Sequence, residues 1–415
     1  MKQAAAQPIT EKERIQSIDV LRGFAVLCIL AINIRALSGP WVAYFNPAAY
    51  GDLSGINYLI WLVTDLFFYH KFLITFSILF GAGVILFTER LESRDKPVFK
   101  IYYLRNSILL LMGIAHYILI WDGDILHWYG LCAFFLYWLR KLPSRYLLIA
   151  GAVIFSFQFI IRTYYYFIVI EYPPKIFQEW MQYNWHSSQQ TINEIINIYK
   201  SGWIEQINYR INDSLGYFIG HVVKKGEIFE PLGAMLIGMV LFKTSVINAS
   251  KSKIFYKRLL VSSLIIGLPP TVISAYIMSH SNFDAVAGFF VAFQFNLFGS
   301  LFLSLAYISI IMLLCKNQKF TWLTTRLSSV GRMAFTNYIM QSLICTWIFY
   351  GFGLGLYGSA ERWEQMIVVL IIWLLQIWSS SIWLKYFRSG PLEWLWRSLT
   401  YWKFQSIRRR RPDRS

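Results

Sequence analysis

Apolar runs near the length of a bilayer crossing, about 20 residues, recur from one end of the chain to the other, with short polar links between them. The pattern predicts ten helical spans. They run roughly from Asp19 to Ala36, Tyr58 to Phe87, Ile108 to Trp121, Ile125 to Leu139 and Tyr146 to Ile170 in the first half. In the second half they run from Ile228 to Phe242, Leu259 to Met278, Val286 to Leu314, Met333 to Tyr350 and Met366 to Tyr386. The fold class is therefore all-α, a polytopic helical membrane protein of about ten transmembrane helices. The second run is long enough to tilt or break. Its polar knot Tyr69-His70-Lys71 predicts a short amphipathic segment, then the true span from Phe72 onward.

The links alternate in charge. Arg90, Arg94, Lys96, Lys100 and Arg105 follow the second span, and Arg140, Lys141 and Arg145 follow the fourth, whereas Asp122-Gly123-Asp124 carries no basic residue. Basic links mark the cytoplasmic side, so both termini are expected on the cytoplasmic face of the membrane. Five regions follow: a tail over 1–17, a five-span half over 18–170, and an amphipathic, aromatic, extracytoplasmic helical region over 171–227. A second five-span half over 228–388 and a basic tail over 389–415 complete the chain. An odd number of spans per half gives inverted topology, a pattern of secondary transporters, though the halves share no residue-level similarity.

Composition agrees with this reading. The 415 residues are 56% hydrophobic and only 15% charged, against about 25% charged in soluble domains. The net charge of +17 resides mostly in the short links, so it reports topology and the lipid bilayer as partner, not nucleic acid. The terminal run Arg408-Arg409-Arg410-Arg411 suits anionic headgroups or serves as a topogenic, solvated tail. Cys28, Cys132, Cys315 and Cys345 sit singly in apolar spans, which excludes a disulfide framework or a cysteine metal site. Ala36-Leu37-Ser38 resembles a signal-peptide cleavage site, but Asp19, Arg22, Asn33 and Arg35 flank or interrupt the apolar run. A retained first helix is the expectation. Nothing in the sequence sets the oligomeric state.

Polar residues inside spans are expensive and mark candidate sites. Asp19 and Arg22, three apart on one helix face, form either a phosphate-binding pair or a structural ion pair. Asn33 lies deeper on nearly the same face. His116, Asp122, Asp124 and His127 cluster where spans 3 and 4 meet; a carboxylate beside a histidine fixes its tautomer for base catalysis. Against that stands a helix cap by aspartate. Metal binding is not expected, because the spacing is not diagnostic. His70 and Lys71 read as a base candidate or as an interfacial anchor with a snorkelling lysine. Thr336, Asn337 and Gln341, just after Arg332, either line a cleft or hydrogen-bond neighbouring helices. Glu393 and Arg397 are spaced to pair on a helix. There is no P-loop, GxSxG elbow or HExxH.

Several stretches together resemble the YeiB-like family, DUF418. They are Arg14 to Ala25 with Asn33, Lys71 to Gly81, Gly123-Asp124-Ile125-Leu126, Gly331 to Ser342 and Gly390 to Arg397. The Ser17-Ile18-Asp19…Arg22-Gly23 opening is also similar to that of a wider group of transmembrane acyltransferases. These include the O-acyltransferases of surface polysaccharides and the lysosomal heparan glucosaminide N-acetyltransferase. The resemblance implies transfer of an acyl group from cytosolic acyl-CoA, a co-substrate rather than a tightly bound cofactor. The acceptor would be an extracytoplasmic sugar or lipid-linked molecule. Bacterial members of that group place a catalytic histidine beyond an arginine and ten further residues; here that count from Arg22 reaches Asn33. Asparagine is no general base, so His116 with Asp124 is the first candidate and His70 or His127 the reserve. Asp19, Arg22 and Arg332 would hold the CoA phosphates, and Asn33, Asn337 and Gln341 would contact substrate. The alternative is a transporter or flippase of a small or lipid-linked solute.

Overall fold

A computed structural model describes residues 14–171, 175, 178–179, 181, 185–219 and 228–409. Helix makes up most of what it describes, with no β-sheet among the described residues and one isolated antiparallel bridge, Phe387 to Arg408. In chain order the helices are α1 (Gln16–Ser38), α2 (Val42–Phe45), α3 (Gly55–Phe67), α4 (Lys71–Glu92), α5 (Val98–Leu119), α6 (Leu126–Leu139) and α7 (Ser144–Glu171). Then come α8 (Gln189–Lys200), α9 (Trp203–Ile219), α10 (Phe229–Lys243), α11 (Lys253–His280), α12 (Phe293–Cys315), α13 (Thr321–Arg332), α14 (Ala334–Phe349), α15 (Arg362–Tyr386) and α16 (Pro391–Thr400).

Among the described residues, seven helical stretches are long and apolar enough to cross a membrane, with α3 and α4 forming one of them. The other three predicted spans are the shorter helices α6, α10 and α14, of 14, 15 and 16 residues. A bilayer core needs about 20 residues of helix, so the ten apolar runs of the sequence do not translate into ten full-length spans. The second run breaks where its polar knot predicts. Residues 68–70 separate α3 from α4, and His70 takes a left-handed backbone, φ 62°. Of the region 171–227, the described part forms mainly α8 and α9; residues 1–13 of the first tail and 410–415 of the last, with Arg410 and Arg411 of the terminal arginine run, lie outside the described residues.

The first helix is the axis of the fold. Its apolar window is 83% buried, against 22–28% for α5, α7, α11 and α15. A helix apolar all round belongs in the interior, and α1 packs on α4, α12, α13, α14 and α15. Its packing on α13 is backbone to backbone: a Cβ on Gly23 would lie 1.9 Å from the Leu327 carbonyl oxygen, and one on Gly331 1.8 Å from that of Asp19. The outer helices instead present Ile160, Phe167, Ile265, Leu374 and similar side chains outward, as a lipid-facing surface does. This is a helical membrane protein.

Candidate functional site

Two cavities penetrate the helical bundle from opposite ends of α1. The first, about 330 Å³, is lined by Arg14, Asp19 and Arg22 at the start of α1 and by Arg90 at the end of α4. Arg105, Arg332 and Arg397 also line it, together with Glu393. The second, about 200 Å³, is lined by Arg35 near the end of α1 and by His70 at the start of α4. From Arg22 to Arg35 is about 20 Å along a helix axis. Ile125 and Tyr129 line both cavities and form their common wall.

Six guanidinium groups face the first cavity against two carboxylates, and both carboxylates are already engaged. Asp19 lies 2.9 Å from Arg22 and 3.6 Å from Arg14. The side chain of Glu393 does not turn along its own helix to Arg397 but crosses to the start of α14. There it accepts from the backbone N–H groups of Phe335 at 2.7 Å and Thr336 at 3.1 Å, and from the Thr336 hydroxyl at 2.6 Å. It thus caps donors that the first turn of a helix leaves unsatisfied. Burial raises its carboxyl above the ordinary range, and these hydrogen bonds offset only part of that rise. Arg105 is sandwiched, its guanidinium 3.6 Å from the Trp396 ring centre and 4.7 Å from that of Phe87. Stacking fixes the plane of the cation.

The second cavity mixes aromatic walls with polar groups. Trp41, Trp61, Trp128 and Trp185 contribute rings; Asp65, Gln158, Arg162 and Asn296 contribute charge and amides. Here His70 Nδ1 lies 2.9 Å from Glu230 Oε1. The sequence separates the pair by 160 positions, and the packing of α4 on α10 brings them together. That packing is also glycine-mediated: a Cβ on Gly81 would sit 1.8 Å from the Met235 carbonyl oxygen, and one on Gly238 2.0 Å from that of Ile78. The left-handed backbone of His70 costs about 1–2 kcal/mol for a residue with a Cβ; such strain gathers at functional sites. A π-helical turn, Ala287–Ala292, adds Gly288 and Phe289 to the same wall.

His116 and His127 converge on one carboxylate behind the partition. His116 Nδ1 is 2.7 Å from Asp124 Oδ1, and His127 Nδ1 is 2.8 Å from Asp124 Oδ2, which also accepts from the His127 backbone N–H at 2.9 Å. Asp124 therefore both accepts from the first turn of α6 and holds two imidazoles. Burial alone would raise its carboxyl; the histidine hydrogen bonds outweigh this and hold it below the ordinary range. Asp124 lines the second cavity, whereas neither histidine lines either one. The Nε2 of His116 is buried without a partner. Asp122 does not join this group. It accepts from the indole N–H of Trp41 and the hydroxyl of Tyr199, both at 2.9 Å.

The remaining sequence candidates separate cleanly. Asp19, Arg22 and Arg332 line the first cavity. Asn33 lines neither. Asn337 donates to the Val330 carbonyl and Ser380, and Gln341 donates to the Val26 carbonyl and Gln376. Both are buried and lie outside both cavities, so they join helices. Lys71 does not snorkel: it is fully buried and donates to the Asp65 carbonyl at 2.8 Å and to Asn296 at 3.1 Å. Among the described residues, no group of three or more His, Cys, Asp or Glu could hold a metal ion.

Known proteins place the chain. Residues 241–403 match a family described as "Protein of unknown function (DUF418)". YxaH, an uncharacterized protein of Bacillus subtilis (strain 168), is 32% identical over 97% of this chain and 98% of its own. The chain belongs to the DUF418 family. A second relative, the uncharacterized YeiB of Escherichia coli (strain K12), is 31% identical over 94% of this chain and 96% of its own. The similarity to both relatives spans both cavities, beyond the stretch matched to DUF418 itself.

Proposed function

We propose that this protein is a membrane acyltransferase that moves an acyl group from cytosolic acyl-CoA to an extracytoplasmic sugar or lipid-linked acceptor. The observation that carries the reading is the pair of cavities entering from opposite ends of α1 and sharing Ile125 and Tyr129. One is rich in arginine, suited to phosphates; the other has a histidine–glutamate pair among aromatic rings. The basic links lie at the arginine end, which the positive-inside rule places in the cytosol. Arg22, Arg105, Arg332 and Arg397 would bind CoA phosphates, and the thioester would reach the partition.

The acceptor would occupy the aromatic cavity. His70, oriented by Glu230, would take the proton of the acceptor hydroxyl or amine as its heteroatom attacks the thioester carbonyl carbon. The carbon–sulfur bond would break and CoA would leave as thiolate, which would take up the proton that His70 removed from the acceptor, leaving His70 neutral again. His70 is preferred over His116 and His127 because it lines the cavity and they do not. Asp124, held by both of them, shapes the wall beside the reacting groups.

Purified protein in lipid nanodiscs, given labelled acyl-CoA and a panel of glycans and lipid-linked sugars, should transfer label. His70→Ala and Glu230→Gln should lower the rate by at least about 100-fold and 10-fold, in keeping with loss of a general base and of its orienting partner. Unchanged transfer in both variants would remove His70 from the chemistry. The same facing cavities also suit a transporter or flippase of a lipid-linked solute; flux into proteoliposomes without acyl-CoA would favour that reading.

A further inference from the structure

One helix face of α4 lines the arginine cavity with a regular stripe: Phe76, Leu79, Phe80, Gly83, Phe87 and Arg90. The spacing is that of a single helix face. Every apolar position in that stripe carries a large side chain except Gly83. A glycine inside a helix destabilises it relative to alanine, so this one needs a reason.

Close packing is not the reason. A Cβ on Gly81, two residues earlier, would collide with backbone, but a Cβ on Gly83 would meet nothing within 4 Å. Gly83 is a notch in the cavity wall, about 10 Å along the helix from Arg90. Across the cavity, Leu109, Ile125 and Leu126 are apolar, as is Val84 next to Gly83 on α4 itself. A polar headgroup held at the arginine mouth would therefore carry any attached apolar chain toward the notch and the partition.

We infer that Gly83 determines the length of acyl chain that the cavity accepts, and that the cavity takes chains longer than acetyl. The inference rests on the acyl-CoA reading above. Each methylene that moves from water into the notch should strengthen binding about fourfold. A leucine at position 83 would fill the space the chain needs while leaving the arginine mouth untouched.

The test is equilibrium binding of free CoA and of acetyl-, butyryl- and hexanoyl-CoA to the full chain in nanodiscs. For the wild type, affinity should climb by about fourfold per methylene until the notch is full. Gly83→Leu should bind free CoA as the wild type does and lose the climb; Gly83→Ala should shorten it, which keeps the test decisive even if the leucine variant folds poorly. An identical chain-length series in wild type and Gly83→Ala, or no climb in the wild type, overturns the inference while leaving the acyl-CoA reading standing. Failure of the wild type to bind CoA or any acyl-CoA overturns both.

Discussion

Replacing Asp124 is the perturbation that most directly probes the site. Its carboxylate is fully buried and accepts three hydrogen bonds, from His116 Nδ1, His127 Nδ1 and the His127 backbone N–H. Hydrogen bonds to a charged group contribute about 1.5–3 kcal/mol each. Asp124→Ala strands three buried donors, and removing one partner of a buried pair costs about 3–5 kcal/mol. Asp124→Asn keeps one acceptor oxygen for His127 but turns an amide N–H toward His116. Its cost should be smaller, about 2 kcal/mol.

A double-mutant cycle of Asp124→Ala with His116→Ala isolates the 2.7 Å contact. The coupling should be about 1.5–3 kcal/mol, read from reversible denaturant unfolding in bicelles. The sign of its pH dependence follows from a folded carboxyl held below the ordinary range. The aspartate contribution is complete above the unfolded value near about 4 and is lost as pH falls through the lower folded value. It should therefore persist from about pH 5 to 8. Single-mutant effects that add to the double within about 0.5 kcal/mol would refute the account, because the contact would then carry no energy of its own.

Three further outcomes can be measured on the same footing. Gly81→Leu should destabilise by more than about 3 kcal/mol, since its Cβ meets backbone that cannot move aside, whereas Gly83→Leu on the same helix should change stability by less than about 1 kcal/mol; equal losses in detergent thermostability would contradict the packing difference. His70→Gly should be more stable than His70→Ala by about 1 kcal/mol, because only glycine adopts φ 62° freely, and a more stable alanine variant would show that the turn is not strained. For Glu393 the sign reverses from that of Asp124: burial raises the folded carboxyl, so stability should fall as pH rises from about 4.3 through the folded value. A wild-type unfolding midpoint that does not fall relative to Glu393→Gln over that range would argue against it.

Much of the architecture is written in local pattern. The apolar runs specify every long helix, and the knot at Tyr69-His70-Lys71 marks the break between α3 and α4. Local pattern also pairs Asp124 with His116 and His127, because a tight turn between two helices leaves them few other arrangements. It does not reveal Glu230. That residue stands at the start of its own apolar run and meets His70 only through the crossing of α4 and α10. A glutamate followed by Pro231 and Gly233, with Gly238 further on, was the available signal, and it points to close helix packing without naming the partner. Lys71 fails for a related reason. Snorkelling is the fate of a lysine near lipid, but α12 places Asn296 beside it and removes the route to water. The spacing of Glu393 and Arg397 suggested a pair, yet the open first turn of α14 competes for the carboxylate and wins by offering three donors.

The thin wall of Ile125 and Tyr129 has an electrical consequence. Water filling two cavities that approach each other from opposite faces would concentrate the transmembrane voltage across the short barrier between them. Moving one elementary charge through that barrier costs or releases about 2.3 kcal/mol per 100 mV. In the reaction proposed here, CoA, with its phosphates at the arginine mouth, would stay outside that field. The acyl carbon would move outward as it leaves a thiolate behind, and the acceptor's proton would move inward to that thiolate; the two displacements cancel, so the overall reaction would be electroneutral across the wall and its equilibrium insensitive to the membrane potential.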